Sequence, residues 1–266
     1  MNYDYVVSRQ IYLKRQVKQV YHYSSFDYLC NEPFYLQDIG YVKCPTLRDI
    51  RKKGYLFFKI MLTMLFSSKE ELLEQYEGAL GDSFQNTSKF DFLISMDPNM
   101  LQETLAFLIC HNVEFTDGTY IVSEMDEENQ KVLCGYINHD NFDFFCDEIQ
   151  KILGMKQESN SELKFKNSLA QKMFDKLQKH KKGQKQNYDE NYELDNMIKK
   201  YCTHNKVGIN ILNVWDMTYY QFMAMFNEYC NGRQCDFNDM MAANTFQYKK
   251  STDYKPLDYM KKLNNN

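Results

Sequence analysis

The sequence predicts an α+β protein, predominantly helical: an N-terminal body with short β-hairpins, then a basic helix, then a small all-helical C-terminal unit. Three observations carry that prediction. A helix-start device recurs along the chain, the intervals between several of those starts hold β-favouring runs broken by turn residues, and beyond Gly154 the texture becomes lysine-rich with helical spacing. With 44 % apolar and 26 % charged residues among 266, the chain has core material for one large domain or two small ones.

The device is an apolar residue, a capping residue, two more positions, a polar residue and a second apolar one. In "PTLRDI" Thr46 can accept the Asp49 N–H while Asp49 reaches back, and Pro45 can pack on Ile50. "SSKEELL" offers Ser68 with Glu71. In "MDPNML" Asp97 is the cap and Pro98 takes the first helical position, where no N–H is missed. "INHDNF" repeats the spacing with Asn138 as cap, "MTYYQF" with Thr218 as cap and Gln221 closing the box, and "CDFNDM" with Asp236. These starts predict helices over about 47–66, 69–78, 98–111, 139–153, 162–181, 191–203, 218–230 and 237–247.

Strands fit the remaining intervals. "FYLQDIGYVKC" reads as a hairpin turning near Gly40, "NVEFTDGTYIVSEM" as a second turning at Asp117-Gly118, and "KVLCGYI" as a strand entering the 139 helix. The resulting division is an α+β body at 1–155, a basic helix and polar linker at 156–190, and a helical C-terminal unit at 191–266.

Read for chemistry, the chain is nearly silent. Only 10 glycines and 4 prolines are present, and the closest glycine pair, Gly78 and Gly81, has no lysine behind it, so no phosphate-cradling loop is predicted. The longest apolar run, "YLFFKIMLTMLF", is too short to span a bilayer and carries Lys59, so it reads as a buried helix. The eight cysteines lie mostly inside apolar runs, which suggests reduced thiols. Cys202, His204, Cys230 and Cys235 have ligand chemistry for zinc but poor spacing, and Cys110-His111 point in different directions on a helix. Asp143 and Asp147 share a helix face, where Asp143 complements the helix dipole in the first turn. No metal, cofactor or catalytic residue is predicted, and the chain is expected not to be an enzyme.

The strongest charge asymmetry is 164–185, with eight lysines opposed by Asp175. Lys179, Lys181, Lys182 and Lys185 are candidates for docking an acidic protein partner. The segment has no arginine, hence no bidentate fork, and the net charge of −4 argues against whole-surface binding, so nucleic acid is the less favoured partner.

The C-terminal run "VGINILNVWDMTYYQFMAMFNEY", preceded by a lysine-rich helix, a linker and "LDNMIKKYCTHN", resembles the ending of tail-morphogenesis proteins from phages and prophages of low-GC Gram-positive bacteria. "IGYVKCPTLRDI" and "GYINHDNFDFFCDEIQKI" are similar to earlier segments of those proteins. The resemblance implies a tail assembly chaperone that binds the tape-measure protein and tail-tube subunits in the host cytoplasm, with self-association a further option. Its alternatives are a structural virion protein of the tail or baseplate, and a nucleic-acid binder using the 164–185 helix. Met217, Met223, Met225, Met240 and Met241 would suit an adaptable surface. Trp215, the single tryptophan, is expected to be a corner pinned against "MIKKYC", burying about 150–250 Å².

Overall fold

At Gly54 the chain takes φ +106° and ψ 134°, which no helix continues through, so the expected 47–66 helix is two: α1 (Leu47–Lys53) and α2 (Tyr55–Phe66). The computed structural model describes residues 23–75, 87–155 and 193–243. Those residues form an α+β, helix-dominated protein with two small antiparallel sheets. Within them follow α3 (Lys69–Gln75), α4 (Lys89–Met96), α5 (Pro98–Leu108), α6 (Phe142–Ile152), α7 (Leu194–His204) and α8 (Tyr219–Ala243). The 162–181 helix lies outside the described residues.

Compactness follows a different line from sequence texture. The described residues within Met1–Lys43 and Ile60–Cys146 make one compact unit, and those within Cys44–Lys59 and Asp147–Asn266 make the other. The segment carrying α1 therefore joins the C-terminal helices, although some 140 residues of chain separate them.

In the first unit, β1 (Phe34–Leu36) pairs with β2 (Gly40–Val42), and β3 (Asn112–Thr116), β4 (Thr119–Met125) and β5 (Lys131–Ile137) form a sheet in that order. Asp117 and Gly118 both have positive φ, as a two-residue hairpin loop requires. Alternation puts Val113, Tyr120, Val122 and Ile137 on the buried face. Against this face lie Phe90, which meets Tyr120 edge-on at 6.0 Å and Phe142 at 5.2 Å, and the Tyr120 hydroxyl, which donates to Pro98 O at 2.8 Å. At Gly135 a Cβ would sit 2.5 Å from Ile39 O, so the β1–β2 turn approaches β5 more closely than any side chain allows.

Helix α4 has no counterpart in the sequence prediction. Ser88 accepts the Asp91 N–H at 3.0 Å to begin it, and Asp97 ends it. The same Asp97 carboxylate accepts from Asn99 and Met100 to begin α5. The latter stops three residues early because Ile109 and Cys110 go extended beside β2, with Cys110 N–H donating to Tyr41 O. Helix α6 starts at Phe142 rather than 139: Asn138 accepts the Asp140 N–H and donates its own N–H to Asn141 Oδ1, a side-chain turn that replaces the expected first helical turn. The largest correction is α8, one continuous helix where two were expected. Gly232 and Asp236 do not interrupt it, because Phe222, Phe226 and Cys235 keep burying the same element along its length.

No helix among the described residues is long and apolar enough to cross a membrane. The apolar α2 instead buries Phe58, Met61 and Leu65, a helical stripe.

Candidate functional site

Two capped helix starts lie side by side in the second unit. Thr46 begins α1 and Thr218 begins α8, each with a full box: Thr46 with Asp49, and Thr218 Oγ1 accepting Gln221 N–H at 3.1 Å while Gln221 Oε1 accepts Thr218 N–H at 2.9 Å. Backbone bonds from Leu47 N to Met217 O (2.9 Å) and Tyr219 N to Pro45 O (2.8 Å) join them as an isolated antiparallel bridge. Arg48 adds an ion pair to Asp216 at 2.7 Å. The chain between residues 205 and 218 is thereby fixed at its far end, and its turns are closed by Asn210 and Asn213 side chains on backbone groups.

This anchorage presents Trp215. It sits in a short 3-10 turn, Val214–Asp216, with Val214 beneath it fully buried. Its Nε1–H donates to Ile211 O at 2.7 Å, and the Arg51 guanidinium stands 5.5 Å over the ring. The indole is mostly but not fully buried. It lines a groove of about 600 Å³ together with Leu47, Ile50, Arg51 and Tyr55, with Leu194 and Ile198 of α7, and with Ile211. Asp195 pairs with Lys199 at 2.7 Å, and that bond holds the Asp195 carboxyl below its usual range. Lys59 donates to Glu193 at 3.0 Å and Tyr55 donates to the same carboxylate; together these donors lower the Glu193 carboxyl, and burial with that carboxylate pushes Tyr55 up to about 12.

Behind the groove, α7 turns Leu194, Met197, Ile198 and Tyr201 inward, the i, i+3, i+4, i+7 stripe of an amphipathic helix. Tyr201 meets Phe222 edge-on at 5.9 Å and Tyr229 at 5.7 Å, and Phe222 stacks with Phe226. The five methionines expected at an adaptable surface are all at least partly accessible, Met225 and Met240 most of all.

Cys44 lies under both helix starts, accepting the Tyr220 N–H at 3.4 Å. Two helix N-termini favour a thiolate, but burial dominates and pushes the thiol up to about 11, as it pushes Tyr219 up to about 12. Both groups are neutral in the fold, so their contribution is complete below pH 9 and is lost as pH rises through about 11 for Cys44 and about 12 for Tyr219. Urea titrations followed by Trp215 emission are expected to show the unfolding free energy falling by about 2–3 kcal/mol from pH 9 to pH 11, with a flatter profile in Cys44→Ala.

None of these residues pairs a nucleophile with a base in the groove. The lining is mostly apolar, with Arg51, Asp195 and Lys199 as its charged members. Lys179, Lys181, Lys182 and Lys185 lie outside the described residues, while Asp97 and Asn138 belong to the first unit as turn and cap residues. The sequence singled out Trp215 and Thr218 but gave no sign that α1 supplies part of the lining.

Residues 181–264 match a family model described as the YomV second domain, a family associated with phages and prophages. The matched region is phage-related. The match covers one domain, less than half of the chain, and takes in α7, the Trp215 turn and α8, but not α1. No curated protein and no solved structure matches the chain.

Proposed function

We propose that this protein is a non-enzymatic phage tail-morphogenesis factor, a tail assembly chaperone acting in the host cytoplasm. It holds an amphipathic helical segment of the tape-measure protein in the Trp215 groove and recruits tail-tube subunits. The observation that carries this reading is a partly accessible tryptophan that lines an apolar groove and lies in the region similar to a phage-associated domain. Tryptophan and arginine at the centre of an apolar patch are the usual anchors of protein interfaces, and an apolar groove between helices receives a helix by its i, i+3, i+4 and i+7 side chains.

Affinity capture from an induced or infected lysate tests it. The tape-measure product is expected in the captured fraction, and mass spectrometry of purified particles is expected to find this chain absent. Abundant copies in mature particles would favour a structural tail or baseplate protein instead. Reproducible absence of the tape-measure product from the captured fraction would remove the chaperone reading.

A further inference from the structure

Three ligand-bearing side chains meet at one end of the three-stranded sheet, in the first unit. The buried row on the core face runs through Val113 on β3 and Val122 on β4. Two residues past each, strand alternation returns to the same face at His111 and Glu124, one step beyond the Asn112–Ser123 pair that ends the β3–β4 ladder. Cys134 reaches them through an irregularity: Val122 pairs with Gly135 and Ser123 with Leu133, leaving Cys134 as the extra residue of a β-bulge. His111 Nδ1 lies 3.3 Å from Glu124 Oε2, and one ligand atom from each of the three residues lies within 4.8 Å of the other two.

We propose that His111, Glu124 and Cys134 form a zinc site that ties β3, β4 and β5 together at the bulge. Zinc takes sulfur, imidazole nitrogen and carboxylate oxygen at about 2.0–2.3 Å in tetrahedral geometry, so its ligand atoms stand roughly 3.3–3.8 Å apart. Small side-chain rotations close the observed spacing to that range. His111 and Cys134 are both half-buried, and Gly40 beside them has no side chain: a Cβ there would lie 3.5 Å from His111 Cδ2 and 3.7 Å from Cys134 Cβ. Three protein ligands leave the fourth position to water. Cys134 binds as thiolate and its proton passes to solvent; burial and the Glu124 charge hold that proton on the thiol, and a dication beside them reverses the balance. The bulge interrupts backbone pairing where the ion would bridge the strands, so the ion replaces lost hydrogen bonding with coordination.

Cobalt and zinc titration of the full chain, stripped with chelator, tests the site. One equivalent of Co²⁺ is expected to give a thiolate-to-cobalt charge-transfer band and tetrahedral ligand-field bands, which one equivalent of Zn²⁺ abolishes. Cys134→Ser is expected to remove the charge-transfer band, and His111→Ala and Glu124→Gln to weaken zinc binding by about tenfold or more. Cys110→Ser, one residue from His111, is expected to change neither. Absence of the band in the unaltered chain overturns the proposal whether or not any variant folds. Retention of the band in Cys134→Ser, or its loss in Cys110→Ser, does the same.

Discussion

Trp215→Ala is expected to reduce capture of the tape-measure segment by about 30-fold or more while leaving the protein folded. Anchors of this kind contribute about 2 kcal/mol or more to an interface, and each 1.4 kcal/mol is tenfold in affinity. The cost to stability is smaller than for a sealed tryptophan. A fully buried Trp→Ala costs about 3–5 kcal/mol, and Trp215 is mostly but not fully buried, so a loss of about 2 kcal/mol is expected, including its bond to Ile211 O. Trp215→Phe keeps the apolar face and the ring beneath Arg51 but loses that hydrogen bond, and it is expected to retain most of the binding. Calorimetric affinities set beside urea midpoints from circular dichroism separate the two effects. Equal loss of stability and binding in Trp215→Ala would mean that the residue acts only through the fold.

Phe222→Ala is expected to have the opposite profile, with a stability loss of about 3–5 kcal/mol that takes the second unit apart. Phe222 is completely buried one turn into α8, touching Tyr201 on α7 and stacking on Phe226. Removing it empties the centre of the aromatic cluster. It also weakens the one burial that follows directly on the Thr218 cap, so the paired helix starts lose support on the α8 side. Chemical denaturation should show the Trp215 emission transition moving to lower urea, with helical signal lost in step. A change under about 1 kcal/mol would mean that the cluster relaxes to fill the cavity, against the packing described.

What was legible in the sequence was what local chemistry decides. Capping boxes involve residues three apart, so Thr46 with Asp49 and Thr218 with Gln221 can be read from spacing, and the Asp117-Gly118 hairpin declares itself by the backbone angles its loop demands. Spacing failed where packing overruled it. Asp236 has the sequence of a cap, yet its carboxylate stands 3.5 Å from Lys206 inside an unbroken helix in which the neighbouring Cys235 is buried. Gly54 reads as tolerable inside a helix but ends one, since its φ of +106° is needed between α1 and α2.

The candidate site was half legible. Trp215 could be picked out as unusual, but a groove is a relation between segments, and nothing in "LRDI" announces that Leu47 and Ile50 line it together with Ile211. Cys134 was invisible for a related reason: only the register jump against Val122 and Ser123 carries it toward His111 and Glu124.

The groove that Trp215 lines is the proposed docking face for the partner. Because Trp215 is the single tryptophan, its emission reports that groove without a label, provided the titrant lacks tryptophan. Titration with tryptophan-free helical segments of the tape-measure protein is predicted to give a saturable blue shift and protection from acrylamide quenching, with the same midpoint as calorimetry. Binding by calorimetry with an unchanged emission spectrum and unchanged quenching would place the docking face elsewhere, against a partner held in the Trp215 groove.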